Sequence, residues 1–200
     1  MEDIFVIDDA FTDDQKDFVE QTMLYGKFFW VFHDDVALSA KETQMIGATK
    51  KTPAISCYMK QSDPPYLFKQ LYDKIEFIPK TVFPKIGKQV KEILDARSFL
   101  MFPLHDKARK EYDNIHVDMI RPHWVCLYYV NDIDGDTVLF KQTQADMKNS
   151  IEVYKNTKFE VLQRVTPKKG RVVLFNGYRY HSSTAPTEGV RCILNFDVIV

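Results

Sequence analysis

The chain changes character near Ala96, and that break limits its folds more than any other feature. Downstream, the runs RSFLMFPL, HWVCLYYV, TVLF, FEVLQRV, RVVLF and VRCILNFDVIV are short and rich in β-branched and aromatic residues. The segments NDIDGD, TPKKG and PTEG separate most of them with turn chemistry. This predicts about seven strands in about 100 residues. Upstream, DIFVID reads as one strand, and helical signals follow. Thr12 stands at an N-cap position with Gln15 three residues on, and Asp13 and Asp14 suit a first turn. A helix is expected from about Asp13 to Tyr25. DPPYLFKQLYDKIEF has prolines suited to a helix start and helical spacing at Leu67, Leu71 and Ile75. FPKIGKQVKEILDA predicts a further helix from about Pro84, while GKFFWVFHDD fits neither period. Helices first and strands after predict an α+β, mainly β domain: an antiparallel sandwich or barrel with helices packed outside.

Composition supports a single domain over 1–200, with 1–95 a helical support region and 96–200 the strand-rich core. Two hundred residues, 45% of them apolar, can bury a core without covalent staples. Cys57, Cys126 and Cys192 form no spaced framework and read as reduced thiols of a cytoplasmic protein. No run of eighteen apolar residues predicts a membrane span. The N-terminus is acidic and lacks the basic start of a signal peptide. Residues 1–40 hold ten acidic and two basic residues, a net of −8; the remainder holds 25 basic and 18 acidic, a net of +7. That asymmetry permits an anionic ligand in the larger part, and is too scattered to argue for nucleic acid by itself.

His-x-Asp occurs twice, at His33-Asp34-Asp35 and at His116-Val117-Asp118. Chance gives roughly 0.3 such matches in a chain with five histidines, so the pattern alone decides nothing. His33 lies in the acidic N-terminal part with no strand-turn context. His116 precedes a strand, and His181 follows RVVLFNGYRY. Two histidines and one carboxylate on a rigid β-scaffold leave three open positions on an octahedral ion, the facial triad of non-haem Fe(II) oxygenases. A closed four-ligand site would be structural. Arg191 sits within the last apolar strand, where a guanidinium needs a partner. That partner is either a core carboxylate, Asp197 or Glu188, or the far carboxylate of a bound dicarboxylic acid such as 2-oxoglutarate.

The order HVD, LYYVNDIDGDTVLF, VTPKKGRVVLFNGYRYHSSTAPTEGVRCILNFDV resembles the Fe(II)/2-oxoglutarate-dependent dioxygenases, nearest their prolyl-4-hydroxylase-like branch, which includes small phage-type members. The resemblance covers 96–200, and FVIDDAFTDDQ is similar to that family's N-terminal strand and helix; 26–95 match nothing comparable. It implies a double-stranded β-helix (jelly roll, cupin-like) core with an N-terminal strand and supporting helices. It implies that His116, Asp118 and His181 bind Fe(II), that Arg191 binds the far carboxylate of 2-oxoglutarate, and that Tyr129 stands against that carboxylate. If the strand is regular, Tyr128 and Trp124 share the face opposite Tyr129, so only one of the two tyrosines faces the site. Many members carry Tyr or Asn on the strand before His-x-Asp to assist the cosubstrate; RSFLMFPL offers no obvious equivalent.

The implied activity is hydroxylation of an unactivated C–H with O2, 2-oxoglutarate leaving as succinate. A peptidyl substrate, prolyl first, follows from the nearest branch. Its rivals are a methylated nucleobase, for which Phe28, Phe29 and Trp30 would offer a lid, and a small metabolite. From another class, a non-catalytic double-stranded β-helix could bind a ligand without turnover, although such a module has no need of triad and arginine together. Trp124, Arg121 and Tyr178 lie near the ligands in sequence and are candidates to line a substrate mouth. His123 and His105 read as non-ligands.

Overall fold

Eleven strands of the computed structural model form two antiparallel sheets, and it describes residues 4–34, 52–63, 65–105, 111–147 and 151–200. The strands are β1 (Ile4–Ile7), β2 (Val31–His33), β3 (Ala54–Ser62), β4 (Pro65–Leu67), β5 (Glu92–Met101) and β6 (Trp124–Tyr129). β7 (Thr137–Thr143), β8 (Val161–Val165), β9 (Val172–Asn176), β10 (Arg179–Ser183) and β11 (Arg191–Ile199) follow. The larger sheet runs β1-β9-β6-β11-β5-β3-β2 with β4 beside β3, and the smaller runs β10-β7-β8. β1 to β6 all lie in the larger sheet; from there the chain crosses to the smaller sheet for β7 and β8, returns for β9, crosses again for β10 and returns for β11, the winding of a double-stranded β-helix.

Strand alternation sorts β11 into two working faces. Cys192, Leu194, Phe196 and Val198 pack with Cys126 and Tyr128 of β6 against a helical layer that includes Val19, Met23, Ile75 and Ile78. Ile193 points the other way, packing between the sheets with Val125, Leu127 and Tyr129 of β6, Leu139 of β7, Val165 of β8, and Val173 and Phe175 of β9. Burying each large side chain contributes about 1.5–3 kcal/mol, so the alternation fixes the register: a one-residue slip would exchange both cores.

Helix α1 (Asp13–Tyr25) begins where the sequence places it. The Thr12 hydroxyl accepts from the Gln15 amide at 3.3 Å, and Gln15 Oε1 accepts from the Thr12 amide at 3.0 Å. Lys169, in the TPKKG turn, reaches Asp17 at 2.6 Å and also Glu20, tying α1 to the loop before β9. No described helix is long and apolar enough to cross a membrane.

The structure departs from the expected helices in the support region. DPPYLFKQLYDKIEF gives strand β4, then two short helices, α2 (Lys69–Tyr72) and α3 (Phe77–Val82). Leu71 and Ile75 are buried as their spacing predicts, but Leu67 is exposed. The helix expected from Pro84 is a single 3-10 turn, Phe83–Ile86, ended by Gly87 in the left-handed region (φ 71°). From Glu92 on that segment is β5, hydrogen-bonded to β11 on one side and β3 on the other. Two ladders outweigh the segment's local helical signal. Strand β10 and the short helices α4 (Gln144–Met147) and α5 (Ile151–Asn156) had no sequence signal strong enough to assign.

Candidate metal centre

His116 and His181 meet because a short bridge adds the His116 segment to the edge of the smaller sheet. Each backbone amide donates to the other's carbonyl at 3.0 Å, and the ring centroids lie 4.5 Å apart. His116 Nδ1 is 3.0 Å from the Asn114 carbonyl, and His181 Nδ1 is 3.1 Å from the Arg179 carbonyl. A carbonyl only accepts, so both Nδ1 atoms carry hydrogen and both Nε2 lone pairs are free to bind a metal. Burial and the neighbouring His181 hold the His116 pKa down at about 4, which keeps its ring neutral.

Asp118 completes the group. Its Oδ1 is 3.9 Å from His116 Nε2 and its Oδ2 3.5 Å from His181 Nε2. One donor atom from each of the three lies within 4.8 Å of the others. An octahedral ion with bonds of about 2.1 Å holds adjacent donors about 3 Å apart, so closing on an ion asks the two aspartate–histidine pairs to move by roughly 0.5–1 Å. Burial pushes the Asp118 carboxyl up, but the Arg97 guanidinium and His181 hold it well below the usual range, as an anion. The donor set fits a divalent ion with open positions.

Arg191 lies between the same two sheets, 1% exposed. Its Nε donates to the Gly135 carbonyl at 2.6 Å and its Nη2 to Thr137 Oγ1 at 3.0 Å, while Nη1 meets the Met101 sulfur at 3.4 Å. Among the described residues no carboxylate pairs with it; of the two core candidates, Asp197 instead lies 3.2 Å from Arg97. Gly135 (φ 97°) is needed there, because a Cβ would come within 3.0 Å of Arg191 Cδ and 2.8 Å of the Thr184 carbonyl. The Gly135-Asp136-Thr137 turn thus builds the seat for the guanidinium. The Tyr129 ring lies under it at 5.7 Å. The Tyr129 hydroxyl is 3.0 Å from the Val165 carbonyl, to which it can only donate, and 2.7 Å from Thr137 Oγ1. Tyr128 points to the opposite face, against Phe11.

Arg97 and Asn195 carry no role in the sequence analysis, Asp197 enters it only as a possible partner of Arg191, and His123 only as a non-ligand. Arg97 of β5 makes a short ion pair with Asp118 Oδ1, and Asn195 of β11 donates to Asp118 Oδ2 at 3.2 Å. Asp197, wholly buried, lies next along β11, with His123 Nε2 3.7 Å from its Oδ1. Burial and the Asp118 charge push Asp197 up against the pull of Arg97. With Asp118, these two residues form a second group whose donor atoms lie within 4.8 Å of one another. The signal was present: Asp197 is a charge in an apolar run, and Arg97 alternates with Phe99 and Met101 once β5 is taken back to Glu92. Arg97 therefore occupies the strand on which no cosubstrate-side residue had been recognised.

Trp124 does not line a mouth. It packs on the helical face against Phe5 and Phe83, with Lys88 4.8 Å from its ring centre, because odd and even residues of β6 face opposite layers. Phe28 and Trp30 also pack on that helical core, which removes them from any lid; Phe29 is exposed. Arg121 is exposed and donates to Ser62 Oγ at 2.8 Å. Tyr178 is half-buried in the β9–β10 turn. In the second His-x-Asp copy, His33 bonds Ser56 Oγ at 2.7 Å, and Asp35 lies outside the described residues. Cys57, Cys126 and Cys192 are buried free thiols.

No family model matches this sequence, and no curated protein matches it. Solved structures do share its architecture. A prolyl hydroxylase from Trichoplax adhaerens, in complex with a hypoxia inducible factor peptide fragment, matches with a TM-score of 0.60 at 12% identity, over 98% of this chain and 83% of that one. The viral collagen prolyl hydroxylase of Paramecium Bursaria Chlorella virus-1, in its 2-oxoglutarate complex, matches with 0.55 at 12% identity, over 98% and 96%. HygX from Streptomyces hygroscopicus, with nickel and 2-oxoglutarate bound, matches with 0.59 at 14% identity, over 98% and 82%. The two sheets and the winding between them give this chain the double-stranded β-helix fold of the Fe(II)/2-oxoglutarate oxygenases, with prolyl hydroxylases among its structural neighbours.

Proposed function

We propose that this protein is a non-haem Fe(II)- and 2-oxoglutarate-dependent dioxygenase that hydroxylates an unactivated C–H. The observation that carries this reading is the convergence of His116, Asp118 and His181 in the same inter-sheet space as a buried Arg191 that no carboxylate among the described residues neutralises. When bound, Fe(II) and 2-oxoglutarate supply the oxidising chemistry: O2 is consumed, 2-oxoglutarate leaves as succinate and CO2, and one substrate C–H becomes C–OH. The chain supplies placement. His116 and His181 present Nε2 atoms, their rings oriented through Nδ1 by the Asn114 and Arg179 carbonyls, and Asp118 presents an anion. Arg191 grips the far carboxylate of the cosubstrate in place of the chloride or water that would otherwise accompany a buried cation. Tyr129 and Thr137 hold the guanidinium in place. The surrounding apolar residues, Ile193, Leu139 and Phe175, keep water from the reacting atoms.

The substrate we favour is a peptidyl side chain, prolyl first, acted on in the cytoplasm. The neighbour that holds a peptide supports it, and the nucleobase alternative loses Phe28 and Trp30 of its three lid aromatics to the helical core. Succinate release from 2-oxoglutarate, measured with Fe(II) in air against panels of peptides, oligonucleotides and metabolites, tests both class and substrate. Turnover is expected in wild type and is lost in His181→Ala, while Arg191→Ala raises the 2-oxoglutarate requirement by about 100-fold or more. Succinate formation that survives His181→Ala would overturn the assignment.

A further inference from the structure

Behind the triad, one guanidinium serves two carboxylates. Arg97 Nη2 makes the short ion pair with Asp118 Oδ1 and lies 3.2 Å from Asp197 Oδ2. The backbone enforces this sharing. Arg97 pairs directly across from Asn195 on β11, and Asp197 is two residues further on the same face. Asp197 is 0% exposed, and neither of its oxygens makes a hydrogen bond. His123 cannot fill that role as placed. Its Nδ1 is tied at 2.7 Å to the Arg121 carbonyl, and its Nε2 stops 3.7 Å from Asp197 Oδ1. Gly177 closes over the ring so tightly that a Cβ there would come within 2.1 Å of Nε2. A buried anion without hydrogen bonds is costly unless a cation answers it. Among the described residues Arg97 is the cation that pairs with it, at 3.2 Å, with Arg121 a weaker, more distant influence.

A divalent ion on the triad and the Arg97 guanidinium compete for the same carboxylate, Asp118. Two cations on one anion repel, so uptake of the ion requires somewhere else for the guanidinium charge to fall. We propose that Asp197 is that place: a counter-carboxylate that takes Arg97 over from Asp118 as the metal arrives, so that the Arg97–Asp197 pair sets metal affinity along with the three ligands. This rests on the reading of His116, Asp118 and His181 as metal ligands. Arg97 and Asp197 act as positioning residues; neither touches the ion. Asn195, donating to Asp118 Oδ2, keeps the carboxylate aimed while its Oδ1 changes partner.

The test is Mn(II) affinity of the intact protein without cosubstrate, read from the EPR signal of free Mn(II), beside a thermal melt of each metal-free variant. Asp197→Asn keeps shape and removes charge, and should weaken Mn(II) binding by about 10–100-fold, the range for residues that support metal ligands. Adding Arg97→Gln to it removes the stranded cation and should restore affinity to within about threefold of wild type, a non-additive cycle. Asp197→Asn binding Mn(II) like wild type, or a double variant weaker than Asp197→Asn alone, overturns the proposal. Should Asp197→Asn fail to fold, wild type decides. Zn(II) should shift one guanidinium 15N resonance, identified by its loss in Arg97→Lys, and an unmoved resonance contradicts the hand-over. Wild type that binds no Mn(II) at all would instead refute the triad reading itself.

Discussion

Tyr128 turns its ring to Phe11 at 5.5 Å and leaves its buried hydroxyl without a hydrogen-bond partner, whereas the Tyr129 hydroxyl reaches both Thr137 and Val165. The same substitution should therefore have opposite consequences at adjacent positions. Tyr128→Phe removes an unsatisfied polar atom, and its melting temperature should equal or exceed that of wild type. Tyr129→Phe breaks a satisfied buried network beneath Arg191, costing about 1–2 kcal/mol and weakening 2-oxoglutarate binding as the guanidinium loosens. Calorimetric melts and cosubstrate titrations of the pair check this. At this scale much of the centre was legible. His116, Asp118, His181 and Arg191 carry rare residue types at spaced positions, and the β6 alternation put Tyr129 and Tyr128 on opposite faces. Arg97 was hidden, because an arginine near the start of a presumed strand looks like any solvated charge until its cross-strand neighbour, Asn195, is known.

Elements divided along physical lines. Helix α1 was readable because its signal is local: the Thr12–Gln15 box closes within four residues. Thr12→Ala should accordingly cost about 1 kcal/mol of stability without changing metal affinity, measured by denaturant unfolding and Mn(II) titration. Strand β5 was misread because its stabilisation is entirely non-local. Its partners β3 and β11 lie more than thirty and about one hundred residues away by its register, as with Ser98 against Cys57 and Leu194. No periodicity within Glu92–Met101 encodes those ladders. The same cause explains Trp124: nearness in sequence to the ligands said nothing of the face on which β6 would present it.

For the molecule as a whole, the centre couples metal-free stability to pH. His116 is held at about 4 when folded and returns to about 6.5 when unfolded. Above pH 6.5 both states are neutral, and the ring exerts no pull. As pH falls from 6.5 towards 4 the unfolded chain gains a proton the folded chain refuses, so stability is lost, on the order of 3 kcal/mol in full. Asp197, whose carboxyl burial pushes well above the usual carboxylate range, acts in the opposite sense. The contrast to measure is wild type against His116→Gln. Urea midpoints of wild type should fall relative to the variant below pH 6.5, and parallel curves would show that His116 is not held neutral.

The central claim is that two sheets bring three ligands and an arginine together for one metal and one 2-oxoglutarate. Anaerobic titration of the wild-type protein with Fe(II) and then 2-oxoglutarate tests it most directly. A weak visible charge-transfer band should grow with cosubstrate, vanish in His116→Ala, and require far more 2-oxoglutarate in Arg191→Ala while Fe(II) binding holds. A wild-type protein that binds both and shows no such band, or binds neither, would contradict the account.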